Sequence, residues 1–185
     1  MKRSVIDRTI SYIGLLLAAV LLAASVVLYF TYTFVHGEVS GQLEPQNIVL
    51  PAKDSEAFKA LSQEDQDAVE PYAGKKVTNG QEAKVFADNY IGAHLKAIGG
   101  GKSYSELSNE SRAHPEVTKL SATVDTVFKG ETLRGILLNA YAFDTMALVA
   151  KFVSIGALVA GLGLIVLSLL GLQHAKKVAT SKRKK

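Results

Sequence analysis

The chain has 185 residues, of which 48% are apolar and 21% are charged, and its formal net charge is +4. This composition excludes a disordered chain and a collagen-like repeat. Because the cysteine count is 0, disulfides, iron–sulfur clusters, cysteine-ligated zinc and thiol catalysis are also excluded. The apolar residues are concentrated in two long runs, which predicts a membrane protein with a small water-facing domain.

The first apolar run follows a short N-terminal segment, residues 1–12, and no charged residue occurs from Ile10 to Val35. A helix over residues 13–35 rises roughly 35 Å, enough to cross a hydrocarbon core of about 30 Å. A cleavable signal peptide is the alternative, since Lys2 and Arg3 supply a basic start. The run stays apolar beyond the small residues at 23–25, so an uncleaved anchor is favoured.

The second apolar run, residues 152–172, is also free of charge. Lys151 precedes it, and a basic tail over residues 174–185 follows it. We predict that residues 136–173 are the helical segment that enters and forms this span, with the membrane part at about 152–172. The sequence therefore predicts two transmembrane helices.

The distribution of charge predicts the orientation of these spans. Residues 1–9 have a net charge of +2, and the tail contains six basic residues and no acidic residue. Residues 36–151 carry 12 basic and 16 acidic residues. Because cytoplasmic segments are enriched in Lys and Arg, both termini are predicted to be cytoplasmic and residues 36–135 extracytoplasmic.

The central domain begins with residues 36–61, which show no helical period and which we interpret as an extended connector. Asn47–Leu50 has the composition of a short strand, but no partner strand is evident. Ser62 has the position of a helix N-cap, and Pro71 is expected to end that short helix.

An amphipathic helix is predicted after Asn79-Gly80. Its outer-domain apolar stripe recurs at intervals of three and four and includes Phe86, Tyr90, Ile91, His94, Leu95 and Ile98. Gly99 to Gly101 are expected to form a C-cap and a turn. The string Gly99–Ser103 is similar to the end of a phosphate-binding loop, but Lys96 stands where that motif requires glycine.

Ser103 and Glu106 are expected to cap another short helix. A further helix is predicted to open at His114-Pro115, with a break or kink at Gly130, and to continue into the second span. The predicted fold class is an all-α membrane protein, a two-transmembrane helical hairpin with a mainly helical extracytoplasmic domain between the spans.

No catalytic, cofactor or metal site is predicted. The four histidines lie at least 20 residues apart, so they lack the short spacing of a metal motif. The acidic residues between 54 and 70 are interpreted as a solvated face, with docking of a basic partner as the alternative. Asp144 and Lys151 share a helix face at the predicted interface, where a lysine can snorkel, and a proton relay is the alternative.

Small residues in the spans predict close packing of helices, because they let two backbones approach in lipid. The two spans packing on each other is the simplest interpretation, and a second, larger membrane subunit is the alternative. The candidate positions are Gly14, Ala18, Ala19, Ala23, Gly156, Ala157, Ala160 and Gly161.

The basic tail lacks the aromatic residues and the folded surface of a nucleic-acid site. We expect it to attract anionic lipid, which contributes about 1 kcal/mol per basic residue near the surface.

Two stretches resemble a known family. The first is Ala87–Ser108, with His94-Leu95, Gly99-Gly100, Ser103-Tyr104 and Leu107-Ser108. The second is Arg134–Phe143, with Arg134-Gly135, Leu137-Leu138 and Ala140-Tyr141. Both are similar to actinobacterial two-span proteins often labelled "aromatic ring-opening dioxygenase".

The dioxygenase label conflicts with the residues, since a non-haem iron site needs two histidines and a carboxylate around one open position. The resemblance instead implies an accessory subunit of the actinobacterial respiratory supercomplex, which joins the cytochrome bcc menaquinol reductase to cytochrome oxidase. On this interpretation the protein is a non-catalytic subunit of the bacterial plasma membrane that docks laterally on larger integral membrane subunits. A stand-alone envelope sensor or ligand-binding protein is the alternative, and an enzyme ranks last.

Overall fold

The computed structural model describes residues 3–181. Residues 182–185, which belong to the predicted basic tail, and the basic start at Lys2 lie outside the described residues. The described part is mainly helical, and it contains no strand beyond one isolated bridge. It forms two compact units: unit 1 comprises the chain up to Phe34 and from Ala147 onward, and unit 2 comprises Val35–Met146.

Two long helices cover more than half of the chain. Helix α1 is Arg3–Leu43, and helix α7 is Thr118–Ser181. Each contains a stretch that is long and apolar enough to cross a membrane. The all-α class is confirmed to this extent.

The remaining helices are short and belong to unit 2. They are α2 (Glu56–Lys59), α3 (Gln63–Val69), α4 (Gly80–Val85), α5 (Gly92–Ile98) and α6 (Tyr104–Ala113), with 3-10 turns at Glu44–Gln46 and Glu70–Tyr72 and a π-helical turn at Phe86–Ile91. The three sequence-predicted N-termini in this region are capped by side chains. Ser62, Asn79 and Ser103 each accept a hydrogen bond from the third backbone N–H that follows, and Glu106 completes a capping box with Ser103.

The prediction of an extended connector over residues 36–61 is wrong in its first part and again at Glu56–Lys59, which form α2. Helix α1 continues to Leu43, because Val39 and Leu43 place apolar side chains in the core of unit 2. The predicted strand residues do have a partner: Val49 forms an isolated antiparallel bridge with Lys76. Leu50 N–H donates to the Lys75 carbonyl (2.9 Å) and Val77 N–H to the Ile48 carbonyl (2.8 Å).

Two expectations for α7 are also corrected. The helix begins at Thr118, and His114 and Pro115 form the turn between α6 and α7. The helix is not interrupted at Gly130, where the side chain of Leu95 occupies the space that a Cβ would take. Gly130 is therefore a packing site for Leu95, and not a break.

The amphipathic helix predicted after Asn79 is divided by the π-helical turn at Phe86–Ile91. In this turn Gly92 N–H donates to the carbonyl of Ala87, five residues earlier. The extra residue rotates the later part of the helix, so the predicted apolar stripe is not uniformly buried. Gly99 ends α5, and Gly100 and Gly101 adopt positive φ, as the C-cap prediction requires.

Candidate functional site

The two helices of unit 1 meet along a seam of small residues. The buried positions repeat every seven residues; on α1 they are Ser11, Ala18 and Ser25, and on α7 they are Ala147, Ser154, Gly161, Ser168 and Ala175. A seven-residue repeat keeps one helix face against its partner, and small side chains let the backbones approach. We call these residues the small-residue seam.

Across the seam, a glycine of one helix lies against a side chain of the other helix. Gly14 lies against Ser168, Gly171 lies against Ser11, and a Cβ at Gly161 would lie 3.1 Å from Leu22. These pairs show that the two helix segments run antiparallel.

The predicted packing residues divide into two groups. Gly14, Ala18 and Gly161 lie in the seam, and Ala157 is half-buried beside it. The others are exposed, and nothing lies within 4 Å of the Cβ position of Gly156; they are Ala19, Ala23, Gly156 and Ala160. The sequence analysis paired small residues four apart and missed the seven-residue repeat, which was visible as Ser, Ala and Gly at every seventh position.

The outer-domain apolar stripe is likewise divided. Phe86, Tyr90 and Ile91 pack against the core of unit 2, and Leu95 is buried against Gly130. His94 and Ile98 are exposed. The rings of Phe86 and Tyr90 stack with centroids 5.0 Å apart, and Tyr90 and His94 follow at 4.5 Å. His94 therefore ends an aromatic stack, and its Nδ1 lies 2.8 Å from the carbonyl of Tyr90.

An ion-pair cluster lies beside the π-helical turn. One carboxylate oxygen of Asp88 lies 2.5 Å from Lys84 Nζ, and the other lies 3.1 Å from the guanidinium of Arg134. Arg134 Nε donates to the Ala87 carbonyl (3.0 Å), and its NH1 nitrogen pairs with Glu131 (2.8 Å). The guanidinium thus links α7 to the turn through Ala87 and Asp88, while its third partner, Glu131, lies on α7 itself. The sequence analysis missed this cluster because its members are far apart in the chain.

Two carboxyl groups of unit 2 have a lowered pKa. Burial acts to raise the pKa of Asp88, but the hydrogen bonds and charges of Lys84 and Arg134 outweigh it, so the pKa lies below the ordinary value of 3.8. The capping hydrogen bonds from the backbone and side chain of Ser103 lower the pKa of Glu106. Both shifts favour the charged form that makes the structural contact.

The ion-pair cluster forms one wall of an open cleft of about 500 Å³. The cleft is lined by acidic and basic side chains, among them Glu64, Asp65, Lys96, Lys102 and Glu131. Such a lining can hold a small zwitterion or water. Two serines of the lining donate their hydroxyls to the carboxylates of the same helix caps, Ser62 to Asp65 at 2.6 Å and Ser103 to Glu106 at 2.7 Å.

Asp144 joins three segments of unit 2 in what we call the Asp144 clamp. Its carboxylate is 4% exposed; one oxygen lies 2.5 Å from His36 Nδ1 and the other accepts the Gly80 N–H at 2.8 Å. Gly80 is required here, since a Cβ would lie 2.5 Å from Asp144 Cβ. The clamp therefore holds the start of α4 against α1 and α7.

Lys151 was predicted to share a helix face with Asp144, but its environment is different. Its Nζ lies 4.8 Å from the centroid of the Tyr32 ring and 3.5 Å from the Tyr32 hydroxyl. A lysine over an aromatic face is a cation–π arrangement. In unit 1 this contact adds a polar tie between the two helices beyond the small-residue seam.

Helix α7 leaves an apolar face uncovered within unit 2. We call it the docking face; its members are 55%, 57%, 58% and 65% exposed, in the order Leu133, Ile136, Phe143 and Met146. Gly135 lies beside it, with nothing within 4 Å of its Cβ position. Among the described residues of unit 2, these four large apolar side chains have the highest exposed fractions.

Within residues 3–181, no group of three or more His, Cys, Asp or Glu side chains is placed to hold a metal ion. The described histidines lie in separate environments, in agreement with their wide spacing in the sequence.

Comparison with known proteins gives no relative. No family model, no curated protein and no solved structure matches this chain.

Proposed function

We propose that the protein is a non-catalytic accessory subunit of a larger plasma-membrane complex. Its two apolar helices anchor it in the bilayer, and the docking face of unit 2 binds a larger subunit. The uncovered docking face is the observation that carries this proposal.

In the proposed topology both termini are cytoplasmic and residues 36–135 are extracytoplasmic. The net charge of +2 over residues 1–9 and the basic tail after the second span support this orientation. The helical hairpin is supported by the antiparallel contacts of the small-residue seam.

The docking face is costly if left in water. Leu133 and Ile136 precede Lys151 by 15 residues or more, so they fall outside a span that begins at Phe152. Complete burial of a Leu, Ile, Phe or Met side chain contributes about 1.5–3 kcal/mol, and each of the four is at least half exposed. Covering them contributes roughly 3–6 kcal/mol of hydrophobic free energy, which favours a partner and offsets part of the cost of association.

The partner that we propose is a respiratory complex. The support comes from the resemblance of Ala87–Ser108 and Arg134–Phe143 to accessory subunits of the cytochrome bcc–cytochrome oxidase supercomplex. The second stretch of that resemblance spans Ile136 and Phe143 of the docking face, and Phe143 is one of its matching residues.

Purification in mild detergent from cells that make the protein tests this function. The chain is expected to co-migrate with larger membrane subunits that contain haem. The variant Ile136→Lys places a charge at the centre of the docking face, and we expect it to lower recovery of those subunits at least about tenfold.

Val117→Lys is the matched control, because Val117 is also an exposed apolar residue of unit 2 but precedes α7. It should leave recovery unchanged. Migration of the wild-type chain as a lone monomer or dimer without haem would contradict the proposal, as would equal recovery with Ile136→Lys.

The polar cleft supports a second candidate, a membrane-anchored module that binds a small ligand. About 500 Å³ lined by acids and bases suits a zwitterion such as an amino acid. A rise in the melting temperature of the full chain with amino acids, abolished in Arg134→Gln, would support it. No shift across such a panel would exclude it.

A further inference from the structure

A cavity of about 540 Å³ opens in unit 1, at the end of the helix pair that carries the chain termini. Its wall is mainly apolar, and it includes Ile10, Leu164, Leu167 and Leu170. Four polar residues also line it, namely Asp7, Ser11, Ser168 and His174. The cavity is therefore amphipathic, with aliphatic side chains on one part and hydrogen-bonding groups on the other.

The small-residue seam explains why space remains here. Ser11 lies against Gly171 and Ser168 lies against Gly14, so no large side chain fills the gap between the helices. The Ser11 hydroxyl donates to the backbone carbonyl of Asp7 at 2.8 Å. The hydroxyl hydrogen of Ser11 is consequently already bonded within α1.

One carboxylate oxygen of Asp7 lacks a hydrogen-bond partner among the described residues. This atom, Oδ2, is buried. Buried polar atoms of folded proteins almost always have a partner, and a carboxylate prefers a charged donor. Because Oδ2 is shielded from a group the size of water, rotation of the Asp7 side chain, which lines the cavity, would bring this oxygen to a donor that a ligand places there.

We propose that the cavity binds one phospholipid whose headgroup carries a primary ammonium. The ammonium offers three donors and a positive charge to Asp7, and an acyl chain lies along Leu164 and Leu167. A small water-soluble cation would make no apolar contact with the aliphatic wall of the cavity. An anionic headgroup that lacks an ammonium offers no charged donor to Asp7. His174 also lines the cavity and is exposed.

This site rests on the membrane placement of the two helices and is independent of any partner at the docking face. It also differs from attraction of anionic lipid by the basic tail, because it selects a zwitterionic headgroup through its ammonium and uses a carboxylate.

Native mass spectrometry of the full chain in detergent tests the proposal. Phosphatidylethanolamine and phosphatidylglycerol with identical acyl chains are the probes. The wild-type chain is expected to retain one phosphatidylethanolamine, bound about tenfold more tightly than phosphatidylglycerol. Asp7→Asn, which removes the charge and keeps the shape, should abolish this preference.

Asp125→Asn is the matched control, since Asp125 is an exposed acid of α7 outside the cavity. It should keep the wild-type preference. A second variant, Leu164→Trp, fills the cavity and should displace the lipid while Asp7 is intact.

Equal binding of the two lipids by the wild-type chain would overturn the site. A preference that survives Asp7→Asn would overturn it too, as would binding that is lost only when Lys176 and Lys177 are changed to Gln, since that result assigns the lipid to the tail. None of these outcomes alters co-purification with larger subunits, so the two proposals fail separately.

Discussion

Unit 2 buries large apolar side chains in a common core, whereas the buried residues of unit 1 are mostly alanine and serine. Leu50, Val69, Val77 and Phe58 are buried in unit 2. In unit 1 the large side chains lie outside, and Leu16, Phe30, Val159 and Phe152 are examples with more than half of their surface exposed.

The difference matches the two environments that we propose for the units. In water, burial of apolar surface stabilises a fold, and unit 2 follows that rule. In lipid, an outward leucine costs nothing, and helices associate through close packing of small residues, as in the seam. The docking face is the exception in unit 2, because it resembles the surface of unit 1 while lying outside the predicted span.

The largest effect is expected from truncating the core of unit 2. Leu50 is 1% exposed, so Leu50→Ala loses both buried area and packing, and should lower the free energy of unfolding of unit 2 by about 3 kcal/mol. Chemical denaturation in micelles, followed by the near-ultraviolet signal of the tyrosines, measures it. Leu17→Ala is the control in unit 1, where the side chain is half exposed, and it should change stability little. Equal effects of the two variants would remove the distinction between the units.

Next comes loss of the Asp144 clamp. Asp144→Ala leaves the buried Gly80 N–H without an acceptor and removes the partner of His36 Nδ1. A buried unsatisfied donor costs about 1–3 kcal/mol, so we expect unit 2 to lose about 2 kcal/mol. Hydrogen exchange should show the loss first at the start of α4. Unchanged protection of the Gly80 amide would show that the clamp does not hold α4.

A smaller effect is expected in the seam of unit 1. Gly161→Leu forces a side chain against Leu22 and the Ala18 carbonyl, and overpacking of this kind costs about 1–2 kcal/mol. Gly163→Leu is matched to it, since position 163 lies two residues away and has nothing within 4 Å. Thermal unfolding of the helix pair in lipid nanodiscs compares them. A larger loss for Gly163→Leu would contradict the antiparallel seam.

The smallest effect concerns pH. The pKa of Asp88 is lower in the folded protein than in the unfolded chain, so its ion pairs stabilise unit 2 above the unfolded pKa. This contribution is lost as the pH falls through the folded pKa, which lies below 3.8. Unfolding titrations of the wild type and Asp88→Asn should therefore differ at neutral pH and converge in acid. Parallel curves over this range would show that the ion pairs contribute no stability.

Local sequence signals predicted local structure well. Ser62, Ser103 and the glycines at 99–101 end or begin helices where expected, because capping depends on residues within one turn. The two apolar runs predicted two long helices for the same reason, since helix length and hydropathy are properties of contiguous sequence.

Contacts between residues far apart in the chain could not be predicted from such local signals. Asp144 with His36, Arg134 with Asp88, and Val49 with Lys76 join positions whose pairing depends on the whole fold. The π-helical turn was also missed, and the carbonyl of Ala87 that it presents accepts from Arg134 Nε, a contact that depends on tertiary structure. The continuity of α7 through Gly130 likewise depends on Leu95, which is 35 residues away.

Site-specific photo-crosslinking in living cells tests the central claim most directly. With a photoreactive residue in place of Ile136, we expect a discrete covalent adduct with a larger integral membrane subunit, and no such adduct from position 117. An absence of protein adducts at position 136, in a chain that is stably inserted in the membrane, would contradict a role as a docked accessory subunit.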